Sequence, residues 1–439
     1  MNMTGQTNRS ILGDTRSLLG RVQAFHGQSI YQELGQAIAS KKWASRIALA
    51  AVGKSARYRI ANFILIWAMV LLHPQILLPE KDARAFGYAP SRNNLRALRR
   101  VDDCLRANGV QQLALKGQKL TLSQKIALIS SMGELWRLAN DVTELRHPWP
   151  LVQSQCLILV AALIVYERYK FPTRLKMVCV ANDHNPIPIA LLAAARARNV
   201  ATCYVQHAPV TKHFPTLNCD VSLLYDGASR MAYETGAGER GETSSGTVLI
   251  FSPFGERFRH PKLSHGPLAV GLCLSYLPNL KTLEALLISL TKHSAVRHVK
   301  LRRHPRCHAD LSILKSLPGV IEQPLGEPAK SFFSQVDLAL VPNSGVAIEA
   351  LHLGCPSFYV RDTDFLVDDY YGFVREGIVP RFIEDFLEDR DRANMEFSEE
   401  WASRFSEYDQ TVNVDPNIAC NQIALTIADH VSRSACELQ

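Results

Sequence analysis

The sequence predicts an α/β protein with two Rossmann-like domains that follow a mainly helical N-terminal region. Apolar, strand-like runs alternate with helical runs from residue 175 to residue 225, and the same alternation restarts at residue 268. Strands and helices at this spacing form parallel sheets with crossover connections. A length of 439 residues also suits two cores better than one. We therefore expect a ligand cleft between two doubly wound halves.

Residues 1–150 are predicted to be mainly helical and basic, either part of the first domain or appended to it. The net charge of +8 is concentrated in the first 110 residues. The apolar run Ile60–Leu72 follows a set of basic residues: Lys41, Lys42, Arg46, Lys54, Arg57 and Arg59. The run fits a buried helix, and it also fits an interfacial helix resting on anionic lipid at the inner face of the cytoplasmic membrane. An interleaved aromatic and basic pattern is lacking, so nucleic acid is not an expected partner.

The first Rossmann-like domain is predicted over residues 151–245, with ligand loops at the carboxyl ends of its strands. A core helix is expected at Gln155–Tyr169, and a second helix at Ile187–Arg198. The expected strands are Leu175–Ala181, Ala201–Gln206 and Val221–Tyr225. The Gly- and Ser-rich stretch 234–245 is predicted to be a linking loop.

The second Rossmann-like domain is predicted over residues 246–412 and is followed by a C-terminal helix over residues 413–439. Its expected strands are Leu268–Leu274, Val296–Leu301, Val336–Val341 and Pro356–Val360. Its expected helices are Leu280–Thr291, Pro328–Gln335 and Gly345–Leu353.

Two short segments of this second half predict a phosphate site. A strand ends in Arg302-Arg303-His304-Pro305-Arg306, and another gives way to a helix at Asn343-Ser344-Gly345. Helix N-termini attract anions, and histidine and arginine donate hydrogen bonds to them. Glu349 could accept from ribose hydroxyls as acidic residues do in dinucleotide folds, and Ser275 ends the first strand of this half.

The first half offers its own polar residues at strand ends. Asp183 and Asp226 are the candidate catalytic carboxylates, although Asp183 also suits helix capping and Asp226 a turn. His184 is expected to orient Asp183 or to bind an acidic ligand. Gln206 and His207 come at the end of a strand, which places them at the ligand-facing edge of the sheet.

The cysteines and the N-terminal residues bear on where the protein is located, and one Asp-x-Asp sequence bears on whether it needs a metal. Ten cysteines occur without a C-x-x-C pair, which predicts mostly reduced core residues in a cytoplasmic protein. Residues 1–10 are polar and are not expected to act as a secretory signal. Asp362-Thr363-Asp364 is interpreted as a loop, so no essential metal and no resident cofactor are expected.

The His304-Pro305 and Ser344-Gly345 segments, together with Gln206-His207, resemble those of GT-B glycosyltransferases that build bacterial surface polysaccharides. The resemblance covers residues 170–375 and is strongest to enzymes using CMP-activated acidic sugars, namely polysialyltransferases, sialyltransferases and Kdo transferases. It implies a CMP-linked donor and an oligosaccharide or glycolipid acceptor bound on the side of the first domain, near His184 and Gln206. It also implies a first-domain carboxylate as acid or base, with His207 among the catalytic residues. The carboxylate-carboxylate-Gly element of the sialyltransferases is lacking; Asp183 is the best positional match and Asp226-Gly227 the second.

Other functions fit the same twin-domain architecture. A UDP-sugar glycosyltransferase and a CDP-glycerol-type glycerophosphotransferase would use a similar cleft. A sugar-nucleotide 2-epimerase has the same shape but needs more acidic residues in its cleft. A non-catalytic partner that binds glycan or nucleotide remains a further alternative.

Overall fold

The computed structural model describes residues 10–28, 56–110, 112–145, 147, 149–251, 257–305, 307, 309–366, 368–409, 412 and 414–436. Two five-stranded parallel sheets form the centres of two domains. The prediction of an α/β protein with two parallel-sheet domains is therefore confirmed.

The strands are β1 Leu77–Leu78, β2 Ala85–Tyr88, β3 Gln118–Lys119, β4 Met177–Val180, β5 Ala201–Val205, β6 Val221–Leu224, β7 Thr247–Ile250, β8 Leu268–Cys273, β9 Val296–Arg302, β10 Val320–Glu322, β11 Leu338–Val341 and β12 Ser357–Tyr359. The α-helices of the described residues are α1 Thr15–His26, α2 Ala56–Leu72, α3 Arg92–Ala107, α4 Leu122–Ala127, α5 Met132–Glu144, α6 Pro150–Arg168, α7 Pro186–Arg196, α8 Gly227–Glu239, α9 Leu280–Lys292, α10 Ser312–Lys315, α11 Ala329–Phe333, α12 Val346–His352, α13 Arg390–Met395, α14 Glu399–Tyr408 and α15 Pro416–Cys436.

The first sheet has the strand order β2-β4-β5-β6-β7. Ala114 adds a parallel bridge to Phe86 on the outer side of β2, so the chain returns to that edge before it enters β4. In chain order the sheet therefore reads 2-1-3-4-5-6, which is a doubly wound arrangement. Because β2 belongs to this sheet and helices α1, α2 and α5 pack in its core, these elements of the N-terminal region are part of the first domain.

Alternating side chains of the first sheet face two different layers. Val178, Val180 and Tyr204 pack in one core with residues of helices α1, α2, α5, α6 and α7. Cys179 and Cys203 point to the other face, which is covered by α3 and α15. Helix α6 is long and apolar enough to cross a bilayer over Leu151–Arg168, but 67% of that window is buried inside the protein, as expected of a core helix.

The second sheet has the order β10-β9-β8-β11-β12, which reads 3-2-1-4-5 in chain order. This is the Rossmann order, in which neighbouring connections leave the sheet in opposite directions between the first and fourth strands. Here that switch point lies between β8 and β11. Ligands of such sheets bind outside the carboxyl ends of these two strands.

Two predicted boundaries differ from the structure. Strand β7 pairs with β6 in the first sheet, so the first domain extends beyond residue 246. Residues 234–239 continue helix α8 instead of forming a loop, because Tyr233 and Ala237 are buried on its inner face. The loop therefore begins only after Glu239.

The C-terminal helix α15 returns to the first domain. It packs against α3 and against strands β5 and β6. Cys420 of α15 forms a disulfide with Cys104 of α3. The expectation of reduced cysteines is thus wrong for this pair, which tertiary packing brings together across 316 residues of sequence. Seven other cysteines are free and buried.

Candidate functional site

A cleft of about 370 Å³ lies between the carboxyl ends of the two sheets. This volume falls within the range of small-molecule sites. The first domain contributes residues that follow β2, β5 and β6, and the second contributes residues that follow β8, β9, β11 and β12. The polar and aromatic lining consists of Asn93, Arg96, His207, Tyr225, Asp226, Ser275, Tyr276, Arg302, Arg303, His304, Asn343, Ser344, Glu349, Asp364, Phe365, Tyr370, Tyr371 and Tyr408.

The switch point of the second sheet supplies the floor of the cleft. Ser275 follows β8, and Ser344 follows β11. The Ser275 hydroxyl is buried and has no hydrogen-bond partner among the described residues. A buried hydroxyl without a partner costs free energy, which a bound polar ligand would recover. The predicted placement of Ser275 beside a ligand thus has a physical basis.

His304 and Pro305 lie at the end of β9 and line the cleft, where the His304 ring is 6.1 Å from that of Tyr276. The two arginines before them form hydrogen bonds with other side chains of the protein. Arg303 Nε donates to Glu322 Oε1 at 3.0 Å, and Arg302 Nη1 donates to Gln323 Oε1 at 2.8 Å. The density of arginine is therefore explained in part by bonds that hold the β9–β10 edge. Arg306 lies outside the described residues.

Asn343 and Ser344 shape the start of α12. The Asn343 backbone N–H donates to Asp364 Oδ2 at 3.1 Å, and Asn343 Oδ1 accepts from the Tyr370 N–H at 2.7 Å. Ser344 Oγ accepts from the Val346 N–H at 3.3 Å. Asn343 thus holds Asp364 and Tyr370 in the segment that follows β12, and Asp364 and Phe365 of this segment line the cleft.

Gly345 lets the two domains approach each other closely. A Cβ atom at this position would lie 2.5 Å from Pro209 Cδ of the first domain. Pro209 follows His207 at the end of β5, and both line the cleft. The sequence prediction of a ligand role for Gly345 is accompanied here by a packing role between domains.

Glu349 of α12 is paired across the domain boundary. Its Oε1 accepts from Arg96 Nη1 of α3 at 2.9 Å, and both residues line the cleft. The predicted ribose-binding carboxylate is present, but a first-domain cation already engages it. Arg96 was not predicted as a site residue, because four-residue β2 gives too weak a sequence signal to reveal that α3 begins beside the cleft.

Asp226 is the first-domain carboxylate that lines the cleft. It ends β6 and caps α8, where Oδ1 accepts from the Ser229 N–H at 2.5 Å. Its burial raises the pKa of this carboxyl to about 7, although hydrogen bonds from Ser229 oppose the shift. An acid with such a pKa is poised for proton transfer near neutral pH.

Gln206 lies behind the cleft and does not line it. Its Nε2 donates to the Ala208 carbonyl and to Ser229 Oγ, both at 2.9 Å, while its Oε1 accepts from the Tyr225 N–H at 2.8 Å. The side chain is 1% exposed. Gln206 therefore joins the ends of β5 and β6, and the predicted acceptor contact is not found.

Asp183 and His184 do not line the cleft. Asp183 is buried, and its Oδ2 accepts from the Tyr233 hydroxyl at 3.3 Å. His184 packs between Phe25 of α1 and Phe214, with ring centroids 4.3 and 4.9 Å away. His184 Nδ1 lies 3.2 Å from Asp183 Oδ1, and helix α1 covers this strand end, so the structure does not bring either residue to the cleft.

The side chain of Asn94 in α3 covers the carboxyl end of β4 on the side that faces the cleft. Its Nδ2 donates to the Ala181 carbonyl at 3.2 Å. Asp183 does not cap α7 either, since the N-cap is Asn185. The role that remains for Asp183 is a buried acceptor in a network with Tyr233 and Tyr204, whose hydroxyls lie 3.0 Å apart.

No family model and no curated protein matches the chain. Several solved structures are similar to it at low identity. MurG of Acinetobacter baumannii is 12% identical over 80% of this chain and 98% of that one, with a TM-score of 0.39. The glycosyltransferase SnogD of Streptomyces nogalater is 13% identical over 81% and 97%, with a TM-score of 0.35. The UDP-GlcNAc 2-epimerase of Neisseria meningitidis is 12% identical over 80% and 98%, with a TM-score of 0.40. All three TM-scores are below 0.5, so the two-domain fold is taken from the strand orders alone.

Proposed function

We propose that the protein is a glycosyltransferase that moves a sugar from a nucleotide-sugar donor to a carbohydrate acceptor. The observation that carries this proposal is the shared cleft, which Asp226 lines from the first domain and His304 from the second. A donor held at the second-sheet switch point would present its sugar toward the first domain. A carboxylate on one side and an imidazole on the other are the two groups that a displacement at the anomeric carbon needs.

The reaction we propose is a direct displacement. The acceptor hydroxyl gives its proton to the Asp226 carboxylate while its oxygen forms a bond to the anomeric carbon. The bond between that carbon and the donor phosphate oxygen breaks, and the electron pair leaves with the nucleotide. His304 as imidazolium hydrogen-bonds the departing phosphate and stabilises its developing charge. This sequence inverts the configuration of the transferred sugar.

The donor we propose is a CMP-linked acidic sugar of the Kdo or sialic-acid type, and the acceptor a growing surface polysaccharide or glycolipid. The motif resemblance at His304-Pro305 and Ser344-Gly345 supports this choice. Arg302 is held by the neutral amide of Gln323 and keeps its positive charge for an anionic donor, whereas Arg96 and Arg303 are each paired with a glutamate.

A ligand panel tests the proposal. CMP, CDP, UDP and CDP-glycerol are added separately, and the melting temperature is measured; a ligand at about 100 times its dissociation constant stabilises the native state by about 2.7 kcal/mol. Stabilisation by CMP, with sugar transfer from a CMP-sugar that Asp226→Asn abolishes, is the expected result. Stabilisation by UDP alone would replace the donor, and CDP-glycerol turnover would replace the reaction class. Nucleotide binding without any transfer would leave only a binding protein.

A further inference from the structure

Helix α2 is apolar on two opposite faces. Asn62, Ile66 and Val70 face inward and are buried. Asn62 Nδ2 donates to Thr143 Oγ1 of α5 at 2.9 Å, which fixes the helix against its neighbour. On the opposite face Ile60 and Ile64 are 51% and 57% exposed. A helix at the surface of a globular protein normally presents polar residues to water. The outer face of α2 presents isoleucines instead.

Helix α5 extends this exposed face. Met132 and Trp136, one turn apart, are 38% and 43% exposed. The Trp136 ring packs edge-on against Phe63 of α2, with centroids 5.7 Å apart. These contacts join the two helices into one apolar patch consisting of Ile60, Phe63, Ile64, Met132 and Trp136. Apolar surface gathered in this way marks an interaction site more often than scattered single residues do.

The sequence around the patch residues is basic. Arg59 precedes Ile60 on α2, Arg137 follows Trp136 on α5, and Lys116, Lys119 and Lys125 lie in the segment that leads to α5; all five are at least partly exposed. None of the five forms a salt bridge within the described part of the chain. The one acidic residue in residues 112–137 is Glu134, which is paired with Arg168 at 2.9 Å.

We infer that the apolar patch and these cations dock the protein on an anionic lipid surface. The apolar side chains would enter the region between headgroups and acyl chains, and the cations would lie at the level of the lipid phosphates. A spanning helix does not fit, because the 17 residues of α2 reach roughly 25 Å and their inner face is fixed to α5. This inference is independent of the reaction proposed above. We favour lipid over a protein partner because the cations complement the negative charge of anionic headgroups.

The test uses the full-length chain and flotation with phosphatidylcholine vesicles, with and without phosphatidylglycerol. We expect binding only to the anionic vesicles, and weaker binding at high salt. The double variant Lys125→Glu/Arg137→Glu should lower the partition coefficient on the order of thirtyfold or more. Ile60→Ser/Ile64→Ser should lower it on the order of tenfold or more.

Matched controls lie on the second domain. Ile313→Ser/Leu325→Ser removes two side chains that are 62% and 72% exposed, and Lys262→Glu/Lys281→Glu makes the same charge change away from the patch. Both controls should bind vesicles like the parent, and all variants should melt like it.

Three results would overturn the inference. The first is that the parent does not float with anionic vesicles, and the second is that the patch variants bind as well as the controls. The third is that Lys41→Glu/Lys42→Glu, at positions outside the described residues, abolishes binding while the patch variants do not. Quenching of tryptophan fluorescence by brominated acyl chains, reduced in Trp136→Phe, would locate the contact at the patch.

Discussion

Arg96 and Glu349 connect the two domains across the cleft, with Arg96 Nη1 donating to Glu349 Oε1 at 2.9 Å. Each residue comes from the first or second turn of a helix that begins at a strand end, α3 in the first domain and α12 in the second. A donor that bonds the Glu349 carboxylate would therefore compete with Arg96 for the same acceptor atoms.

The two residues should differ in their effects when changed singly. Because the Arg96 side chain is half exposed, a double-mutant cycle with Arg96→Gln and Glu349→Gln should give a stability coupling of about 0.2–1 kcal/mol. Glu349→Gln should raise the KM for the donor more than Arg96→Gln does, since only Glu349 can accept from ribose. Equal effects on KM would assign Glu349 to domain contact alone.

Asp226→Asn should lower turnover on the order of a hundredfold or more while nucleotide binding persists. The amide keeps the size of the side chain and its capping ability but cannot accept the acceptor's proton. Single-turnover transfer and nucleotide titration on the same sample measure the two properties. Asp389→Asn is the matched control, since Asp389 caps α13 away from the cleft and its Oδ1 accepts from the Arg392 N–H. Retained turnover in Asp226→Asn would remove this carboxylate from the reaction.

The raised pKa of Asp226 also predicts two pH dependences. Activity should rise with pH through about 7, since the base must be ionised. Stability should move the other way: between the ordinary pKa of 3.8 and about 7, the folded state binds a proton that the unfolded state releases. Ionising the buried carboxyl then costs up to roughly 4 kcal/mol above pH 7. Asp226→Asn should therefore gain more stability over the parent at pH 8 than at pH 4, as measured by urea unfolding.

Asp183→Asn should leave turnover within a few fold of the parent. Its carboxylate accepts from Tyr233 behind the sheet and does not reach the cleft. Asp183→Ala should lower the free energy of unfolding by about 1–3 kcal/mol, because the buried Tyr233 hydroxyl loses an acceptor. Tyr233→Phe should recover part of that loss in the double variant. A large fall in turnover at unchanged stability would restore Asp183 to the reaction.

His304→Ala should abolish most of the thermal stabilisation by CMP. Losing a charge-assisted hydrogen bond to phosphate costs on the order of 1.5–3 kcal/mol. His298→Ala, on the same strand, is the matched control and should keep the ligand effect. Undiminished stabilisation in His304→Ala would place the phosphate elsewhere in the cleft.

The alternation of strands and helices predicted three strands of the first sheet (β4, β5 and β6) and four of the second (β8, β9, β11 and β12), because local apolar patterns record burial. Strands β2, β7 and β10 were not predicted. His304, Ser344 and Ser275 were found because they follow strands of one regular unit. Asp183 follows a strand equally well, yet it is covered. That difference depends on Phe25 reaching His184 from a helix far away in sequence, and on Asn94 closing the strand end. Such contacts leave no local periodicity. Arg96 was missed for the related reason that four-residue β2 is too short to stand out.

The return of α15 to the first domain has a consequence for the order in which the protein is made. Residues 416–436 cover one face of the first sheet, so that sheet stays incompletely covered until the ribosome has synthesised this helix. The second domain lies entirely before this helix and can fold earlier. Domains usually fold in the order of synthesis. Here the domain begun first is finished last, and until then its apolar face depends on other protection from aggregation.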